Sequence, residues 1–216
     1  MINSKDLLRF YIMADTMMNK GVFHYTTLEK IKRFFLPDYI MLFLKCLRCS
    51  EYYYNTKEKL AHRLMYVYYQ IRTEKLGMKL GFTIPKNVFG YGLVIPHHGT
   101  IVVGGGNTIG NYCVLHTSIC ITAGKKQIGD AFYVSTGAKV IHDVCIPDNV
   151  SVGANSLVTS SVSRENTLLV GCPAAIKKEM QSWYIRDGSE FNRRHDECER
   201  LKNLNIIHGR KLCKKA

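Results

Sequence analysis

The chain has 216 residues, of which 46% are hydrophobic, and this length predicts one or two domains with a sizeable core. No basic start leads into an apolar run with a small-residue cleavage site, and the longest apolar stretch, near Tyr39 to Leu44, is too short to span a bilayer. We therefore expect a cytoplasmic protein with reduced thiols and no transmembrane segment.

The formal net charge of +13 favours an anionic ligand, polymer or surface as a partner. We find no nucleic-acid-binding motif in the sequence, so we expect no nucleic-acid partner. Cys46 and Cys49 have the spacing of a metal-binding pair, but no second pair stands nearby in the sequence, and we expect no metal site.

Residues 1–80 have the pattern of a helical region. Four helices are predicted from residues that cap helix N-termini, in chain order Asn3-Ser4, Thr26-Thr27, Asp38 and Thr56-Lys57-Glu58. Pro37 ends the second helix, and Gly77 and Gly81 close the fourth. The many Tyr, Phe and Met side chains indicate a packed helical cap, part of whose apolar surface is available for an oligomer contact.

From Val103 onward an apolar residue recurs at every sixth position, apart from one inserted residue at Lys125-Lys126-Gln127. The positions are Val103, Ile109, Leu115, Ile121, Ile128, Val134, Val140, Ile146, Val152 and Val158. Helices bury residues three and four apart and half-buried strands bury alternate residues, so neither explains a period of six. The period is typical of a solenoid in which three short strands, one per hexad, make one triangular turn. A sandwich with irregular strand spacing is the alternative, and so regular a series argues against it.

The predicted fold is therefore mainly β, with a parallel β-helix over residues 81–175. The helical region 1–80 precedes it, and a C-terminal helix with a basic tail, 176–216, follows it. The segment Gly171-Cys172-Pro173-Ala174-Ala175 is interpreted as the turn that leaves the solenoid, and a charge-rich helix is predicted from residue 176 to about 205.

Three histidines in the first part of the solenoid are candidate functional residues. Counting back one hexad from Val103 places His97 at an inward position, where it breaks the apolar rule, and such exceptions are expected at functional positions. His98 and His116 are separated by three whole hexads, so the period predicts that they stack one turn apart, with Ser135 in the turn after them.

The segment from Gly90 to Val103, which reads Gly-Tyr-Gly-Leu-Val-Ile-Pro-His-His-Gly-Thr-Ile-Val-Val, resembles the hexapeptide-repeat acetyltransferases, and within them the serine acetyltransferase-like branch. The resemblance runs from about residue 60 to 178 and includes Gly-Ala-Lys at 137–139 and the Gly-x-Pro-Ala exit at 171–174. It implies left-handed parallel β-helices that form homotrimers, with acetyl-CoA used at active sites between neighbouring subunits. The N-terminal helices then either pair two trimers or cap one.

By this resemblance His97 is the general base, which takes the proton from an acceptor hydroxyl as that oxygen attacks the thioester. A histidine suits the role because its side chain titrates near neutral pH. The oxyanion then needs a backbone N–H or a second histidine as donor, and His116 is the second catalytic candidate. His98 and Pro96 are candidates for contact with the acceptor, whereas His142 is interpreted as a surface residue. The mechanism needs no metal.

The family holds CoA along the groove between turns, largely through backbone groups at small residues. By motif match these are Ala123, Gly124, Thr136 and Ala154. Thr136 stands where the family usually has Ala or a similar small residue. Lys139, or alternatively Lys177 and Lys178, are candidates to meet the nucleotide phosphates as charge partners.

Two departures from true serine acetyltransferases bear on the acceptor. Those enzymes have Asp just before the catalytic histidine, where this chain has Pro96, and a long loop with Arg and His, where it has the short corner 123–127. A zwitterionic serine needs a carboxylate and a cation as partners, because buried charges require them. We therefore expect a sugar hydroxyl of a surface polysaccharide as the acceptor, as in the polysaccharide-cluster relatives, with L-serine as the alternative.

Two other classes of protein stay open. A non-catalytic β-helix would bind an anionic surface or a partner through its basic tail. A metal-dependent hydrolase would need three histidines around one point, and the period aligns only His98 and His116.

Overall fold

The computed structural model describes the backbone of residues 1–212 and the side chains of residues 1–204. The helices that precede the solenoid are α1 (Lys5–Lys20), α2 (Thr27–Phe35), α3 (Tyr39–Asn55) and α4 (Leu60–Leu80). Ser4, Thr26 and Asp38 each accept a hydrogen bond from a backbone N–H in the first turn of the helix that follows. The predicted caps of the first three helices are therefore confirmed.

The prediction that Thr56-Lys57-Glu58 opens the fourth helix is wrong, because α4 begins at Leu60 without a side-chain cap. The Thr56 hydroxyl instead donates to the carbonyl of Tyr52, 2.8 Å away, at the end of α3. Gly81 ends α4 in the left-handed conformation, as predicted. Gly77 lies inside α4, where a Cβ would come within 2.6 Å of the Phe82 carbonyl oxygen, so its role is close packing of the helix on the first strand.

Short parallel strands build the solenoid over residues 82–171. They are β1 (Phe82–Thr83), β2 (Ile101–Val103), β3 (Thr108–Ile109), β4 (Val114–Leu115), β5 (Ile119–Ile121), β6 (Gln127–Ile128), β7 (Tyr133–Val134), β8 (Lys139–Val140), β9 (Cys145–Ile146), β10 (Ser151–Val152), β11 (Leu157–Val158) and β12 (Thr167–Gly171). Sheet I has the order β1-β2-β5-β8-β11, sheet II the order β3-β6-β9, and sheet III the order β4-β7-β10-β12. The five strands of sheet I correspond to about five turns, and the predicted parallel β-helix is confirmed.

The residues at every sixth position form the core of this solenoid. Each of the ten apolar positions from Val103 to Val158 is at most 4% exposed. Strands pair three hexads apart, as Ile101 with Ile119, except across the single insertion, where Ile121 pairs with Val140. Each turn therefore covers the open edges of its neighbour, and the burial of apolar side chains continues along the axis.

The prediction that His97 breaks an inward apolar position is wrong. Ile101 pairs with Ile119, which lies three hexads further along the chain. Val94 pairs with Val114, and the sequence separation of this pair is larger by two residues. The corner between Val94 and Ile101, residues 96–100, is thus longer by two than the corresponding corner of the next turn. Ile95 and Ile101 are the buried residues on its two sides, and His97 is exposed at the corner. Counting in sixes failed here because it assumes corners of constant length.

The same lengthening affects the predicted stacking of His98 on His116. Counted from the pairing of Val94 with Val114, His116 lies opposite Pro96 rather than His98. His116 does lie above Ser135, because Leu115 pairs with Val134 one position earlier. The column His116–Ser135 is therefore confirmed, and the uniform one-turn spacing of His98 and His116 is not.

The chain leaves the solenoid through a hairpin rather than directly into a helix. Strand β13 (Ala174–Glu179) pairs antiparallel with β12, so the prediction of a helix from residue 176 is wrong. Two helices follow, α5 (Trp183–Arg186) and α6 (Ser189–Leu212). Lys214 and Lys215 of the predicted basic tail lie outside the described residues. None of the helices in the described part combines the length and apolar character needed to cross a bilayer.

A buried ion cluster joins the helical region to the solenoid. The guanidinium of Arg48 in α3 contacts Asp15 of α1 at 2.8 Å and Glu51 at 3.0 Å, and all three side chains are buried. It also donates to the carbonyls of Phe89 and Gly90 in the first turn. Burial opposes the charge, but the two carboxylates raise the pKa of Arg48, so it stays protonated. The cluster thus connects two helices and the solenoid through one side chain.

Replacing Arg48 with Met tests this cluster. The change leaves two buried carboxylates without their cation, so we expect the free energy of unfolding to fall by about 3–5 kcal/mol, measured by urea denaturation. Arg9→Gln is the control, because the Arg9–Asp6 ion pair is exposed and its loss should leave the urea midpoint almost unchanged. An Arg48→Met protein as stable as the wild type would show that the cluster does not hold the helices in place.

Candidate functional site

The corner at residues 96–100, here called the histidine corner, is held on both sides by the N-terminal helices. On one side Asn19 donates to the Leu93 carbonyl at 2.8 Å and accepts from the Ile95 N–H at 3.1 Å, and Asp15 accepts from the Leu93 N–H at 2.9 Å. These two side chains take the place of a preceding strand, because the first turn has no neighbour on that side. The backbone that leads into the histidine corner is therefore fixed by α1.

On its other side the histidine corner is held by the end of α4. The N–H of Gly99 donates to the Leu80 carbonyl, and the N–H of Ile101 donates to the Gly81 carbonyl, both at 2.9 Å. These carbonyls would otherwise be unsatisfied at the helix C-terminus. Two helices thus fix both ends of a corner that is longer than its counterparts.

Pro96, His97 and His98 are all exposed or partly exposed at this corner, with both histidines exposed. The ring nitrogens of His97 make no hydrogen bond to any residue that the structure describes, so they remain accessible to a ligand. His97 directly follows Pro96, which lies opposite His116 in the next turn, and its charge lowers the pKa of His116. The structure therefore brings together the two predicted catalytic residues, and it places the predicted acceptor contacts, Pro96 and His98, beside them.

His116 is half-buried and hydrogen-bonded to a residue that the sequence did not single out. Its Nε2 lies 2.7 Å from the hydroxyl of Tyr133, which faces outward on β7. Burial lowers the pKa of His116, and the neighbouring charge of His97 lowers it further. Burial also raises the pKa of Tyr133, so its hydroxyl stays protonated and can donate to Nε2. A neutral His116 with Nε2 as acceptor carries its proton on Nδ1, which is then available as a donor.

Tyr133 also contacts the residues that end α5. The guanidinium of Arg186 lies 4.7 Å from the centre of the Tyr133 ring, and Arg186 is paired with Asp187 at 2.6 Å. The indole N–H of Trp183 donates to the Tyr112 carbonyl at 2.8 Å and anchors α5 on the solenoid. None of these residues was predicted from the sequence, because no motif or spacing relates α5 to a strand so much earlier in the chain.

The predicted CoA-binding residues divide between two corners. Thr136 and Ala154 are exposed neighbours in successive turns, since the N–H of Asn155 donates to the Thr136 carbonyl at 3.0 Å. They continue the corner that contains His116. Ala123 and Gly124 lie at the opposite ends of the sheet I strands. Sheet I connects the two groups.

The predicted phosphate partners lie on different sheets. Lys139 is exposed on β8 of sheet I, with Nζ 3.2 Å from the Gly137 carbonyl. Lys177 and Lys178 are exposed on β13, at the end of sheet III. Of these, Lys139 is the one that shares a sheet with both groups of small residues.

The outer face of sheet I is open, in contrast to that of sheet III. Its outward residues Val102, Cys120, Lys139 and Leu157 are all partly or fully exposed. The outer face of sheet III is instead covered by α1, α5 and α6 in a second apolar cluster that includes Val114 and Trp183. A long ligand therefore has access to the small residues and to Lys139 along sheet I.

Lys126, at the single insertion, is a buried lysine that the sequence did not predict. Its Nζ donates to the Thr122 carbonyl at 2.9 Å and to the Thr122 hydroxyl at 3.0 Å, so its ammonium is turned into the corner. Burial lowers its pKa. The lysine therefore closes the corner next to Ala123 and offers no cation to a ligand there.

Within the part of the chain that the structure describes, no group of three or more His, Cys, Asp or Glu side chains is arranged to hold a metal ion. The open alternative of a metal-dependent hydrolase thus gains no support from side-chain placement.

The structure thus defines a parallel β-helix protein with an exposed histidine corner and with helices at both ends. No protein-family model matches the chain. Serine acetyltransferases of Staphylococcus aureus are 32% identical to it over 151 residues, which is 66% of this chain and 65% of theirs. The serine acetyltransferase of Staphylococcus epidermidis is 31% identical over 102 residues, 44% of this chain and 47% of that protein. The chain thus spans just under two thirds of the length of the Staphylococcus aureus relatives.

Solved structures of serine acetyltransferases share this fold. The enzyme from Brucella abortus superposes with a TM-score of 0.58 at 20% identity, over 82% of this chain and 69% of that chain. Soybean serine acetyltransferase complexed with serine gives 0.57 at 18% identity, over 79% and 69%. A serine acetyltransferase in complex with CoA gives 0.56 at 17% identity, over 79% and 68%. At these identities the structural likeness establishes the fold alone. The relatives found by sequence, at 32% and 31% identity, are the more similar ones.

The proximity of His97 to His116 can be tested by NMR titration. His97→Gln removes a like charge that disfavours protonation of His116, so we expect the His116 pKa to rise toward its ordinary value. The rise should be partial, because burial is the larger cause of the lowered pKa.

His98→Gln is the matched control, since His98 is not among the charged groups that act on His116. It should leave the His116 titration where it is in the wild type. The opposite pattern would show that His98, and not His97, is the histidine that faces His116.

Proposed function

We propose that the protein is an acetyl-CoA-dependent O-acetyltransferase with His97 as general base. The observation that carries this proposal is the pair formed by the exposed His97 and the half-buried His116 on a parallel β-helix. The similarity to serine acetyltransferases supports both the reaction and the donor. No acyl-enzyme is needed, because a thioester is already activated for attack by a hydroxyl.

In the proposed reaction His97 accepts the proton of the acceptor hydroxyl while that oxygen attacks the acetyl carbonyl carbon of the thioester. His116 donates from Nδ1 to the carbonyl oxygen as it becomes negatively charged, and Tyr133 fixes the ring through Nε2. When the carbon–sulfur bond breaks, the protonated His97 returns its proton to the departing thiolate. The products are the O-acetyl ester and free CoA, and both histidines end in their initial state.

The donor fits along sheet I in this proposal. Thr136 and Ala154 are both exposed, so backbone groups at the corner below His116 are accessible to the pantetheine arm. Lys139 offers an exposed cation on the same sheet for a phosphate. Ala123 and Gly124 lie at the opposite ends of the sheet I strands. Lys177 and Lys178 are the weaker candidates, because they lie on a different sheet.

The comparisons support L-serine as the acceptor better than a polysaccharide sugar, because the relatives are serine acetyltransferases. A sugar hydroxyl was the expectation from Pro96 and the short corner 123–127, and the relatives named above do not support it. We therefore take L-serine as the first acceptor to test and the sugar as the second.

The assembly in this proposal is a homotrimer with the active site between subunits. Apolar side chains are exposed on α2 and α4, including Phe34 and Leu64, and they are available for contacts between subunits or between two trimers. A cytoplasmic location follows from the proposed donor, which is an intracellular metabolite.

His97→Ala tests the chemistry. Loss of the general base should lower kcat/KM by roughly 10²-fold or more, measured as CoA release from acetyl-CoA with L-serine or a sugar precursor. Binding of CoA, measured by calorimetry, should persist, because His97 lies outside the residues assigned to CoA. His142→Asn is the control, since His142 is solvent-accessible with a positive φ of 61° that Asn tolerates.

Two results would contradict this proposal, and a third would change only its acceptor. Wild-type protein that neither binds nor consumes acetyl-CoA would favour a non-catalytic binding module. Full activity in His97→Ala would exclude His97 as the base. Turnover with sugar precursors and none with L-serine would keep the transferase and restore the polysaccharide acceptor.

A further inference from the structure

The end of α5 places an ion pair near His116, one of the two proposed catalytic histidines. Arg186 and Asp187 are connected to His116 through one side chain, because Tyr133 contacts the Arg186 guanidinium with its ring and His116 with its hydroxyl. Asp187 raises the pKa of His116 and Arg186 lowers it, so both charges lie within electrostatic reach of the imidazole. Neither residue has a role in the function proposed above.

The ion pair is built into the fold rather than carried on a free loop. Trp183 is buried and donates to the Tyr112 carbonyl, and Ser182 donates to the side chain of Asn149, which fixes the start of α5 on the solenoid. Arg186 also reaches the hydroxyl of Ser151 on β10, at 3.2 Å. The two charged side chains are still 28% and 32% exposed, so a ligand can reach them.

Among the residues that the structure describes, the partners expected for an acceptor with both charges are missing at this site. Pro96 replaces the carboxylate expected from the family resemblance, and the ammonium of Lys126 in the short corner is turned inward to Thr122. A free amino acid brings one ammonium and one carboxylate, and each needs an opposite charge when it leaves water. Arg186 and Asp187 supply both signs side by side.

We propose that Arg186 and Asp187 bind the carboxylate and the ammonium of a zwitterionic hydroxy amino acid, such as L-serine, and so position its hydroxyl at His97. This inference rests on the proposed transferase function and assigns its acceptor site. The planar guanidinium suits two parallel hydrogen bonds to a carboxylate, and the Asp187 carboxylate suits an ammonium. In the free protein the two side chains satisfy each other, at 2.6 and 3.3 Å. A zwitterion can replace both contacts without leaving either charge unpaired.

Acceptor analogues that lack one charge test this assignment directly. Arg186→Gln should raise the KM for L-serine by roughly 10- to 100-fold, the effect of losing a hydrogen bond between charged groups. It should leave the KM for L-serine methyl ester near the wild-type value, because that acceptor has no carboxylate for Arg186 to bind. Asp187→Asn should show the same pattern with 3-hydroxypropionate, which has no ammonium. Arg186→Lys should recover part of the loss.

Arg164→Gln is the matched control, because Arg164 is paired with Glu179 on the exposed hairpin and the substitution removes the same charge. It should leave every KM unchanged. Affinity for CoA and the thermal unfolding temperature of all variants should stay close to those of the wild type.

The outcomes separate this inference from the proposed function. Wild-type turnover of L-serine with an unchanged KM in both variants would overturn the assignment of Arg186 and Asp187 and leave the transferase intact. An equal loss for L-serine and for the singly charged analogues would also overturn it, since it would indicate a structural role. Acetylation of a sugar but not of L-serine would overturn the inference alone, whereas no use of acetyl-CoA would overturn both.

Discussion

The placement of the histidine corner depends on one buried guanidinium. Arg48 contacts a carboxylate from α1, a carboxylate from its own helix and two carbonyls of the first turn of the solenoid. The carboxylates are not free to rearrange, because Asp15 also accepts from the Leu93 N–H and Glu51 from the Asn87 N–H. Moving the charges from water into the protein costs several kcal/mol per ion, so the cluster is tolerated only in a geometry that satisfies all of its members. The intact cluster therefore adds little net stability, although removing one member is strongly destabilising, and its main effect is to define where the helices lie.

A solenoid has a physical problem at its ends, because the last strands have no further turn to pair with. At the first turn the side chains of Asp15 and Asn19 in α1 form hydrogen bonds with the open backbone edge, and the C-terminal carbonyls of α4 accept further ones. At the other end the chain folds back as β13 and pairs with β12. The histidine corner lies at the first of these ends. Its extra length is accommodated there because helices, rather than a regular turn, hold the backbone on both sides.

The sequence predicted the features that depend on local or strictly periodic signals. The hexad residues were identified because each inward position must be apolar, and Ser4, Thr26 and Asp38 were identified because a cap acts within one helical turn. His97 was found as a functional candidate by an incorrect count, since an insertion in a corner shifts the register without changing the apolar pattern. The family resemblance selects the same residue independently of the count, and its role stays a prediction.

Other features had no local signal at all. Strand β13 was missed because Ala174–Glu179 is an exposed edge strand whose pairing with β12 is decided by the sheet, not by its own periodicity. Lys126 was identified only as part of the short corner 123–127, whereas its stem packs inward and its ammonium donates to Thr122. Arg186 is placed against Tyr133 by the packing of Trp183 on the solenoid, and Asp187 is paired with Arg186. Contacts of this kind depend on tertiary structure and cannot be read from spacing.

The two histidines differ in environment in a way that suits different tasks. His116 is half-buried and its ring orientation is fixed by Tyr133, which favours a neutral imidazole that donates a hydrogen bond. A buried base of this kind would be a poor proton acceptor, because burial opposes the charge that it must gain. His97 is exposed and has no hydrogen bond to the described residues, so its protonated form keeps access to water. These differences in solvation are consistent with the proposed roles of His97 as proton acceptor and His116 as fixed donor. The open sheet I lies on one side of the corner and the covered sheet III on the other.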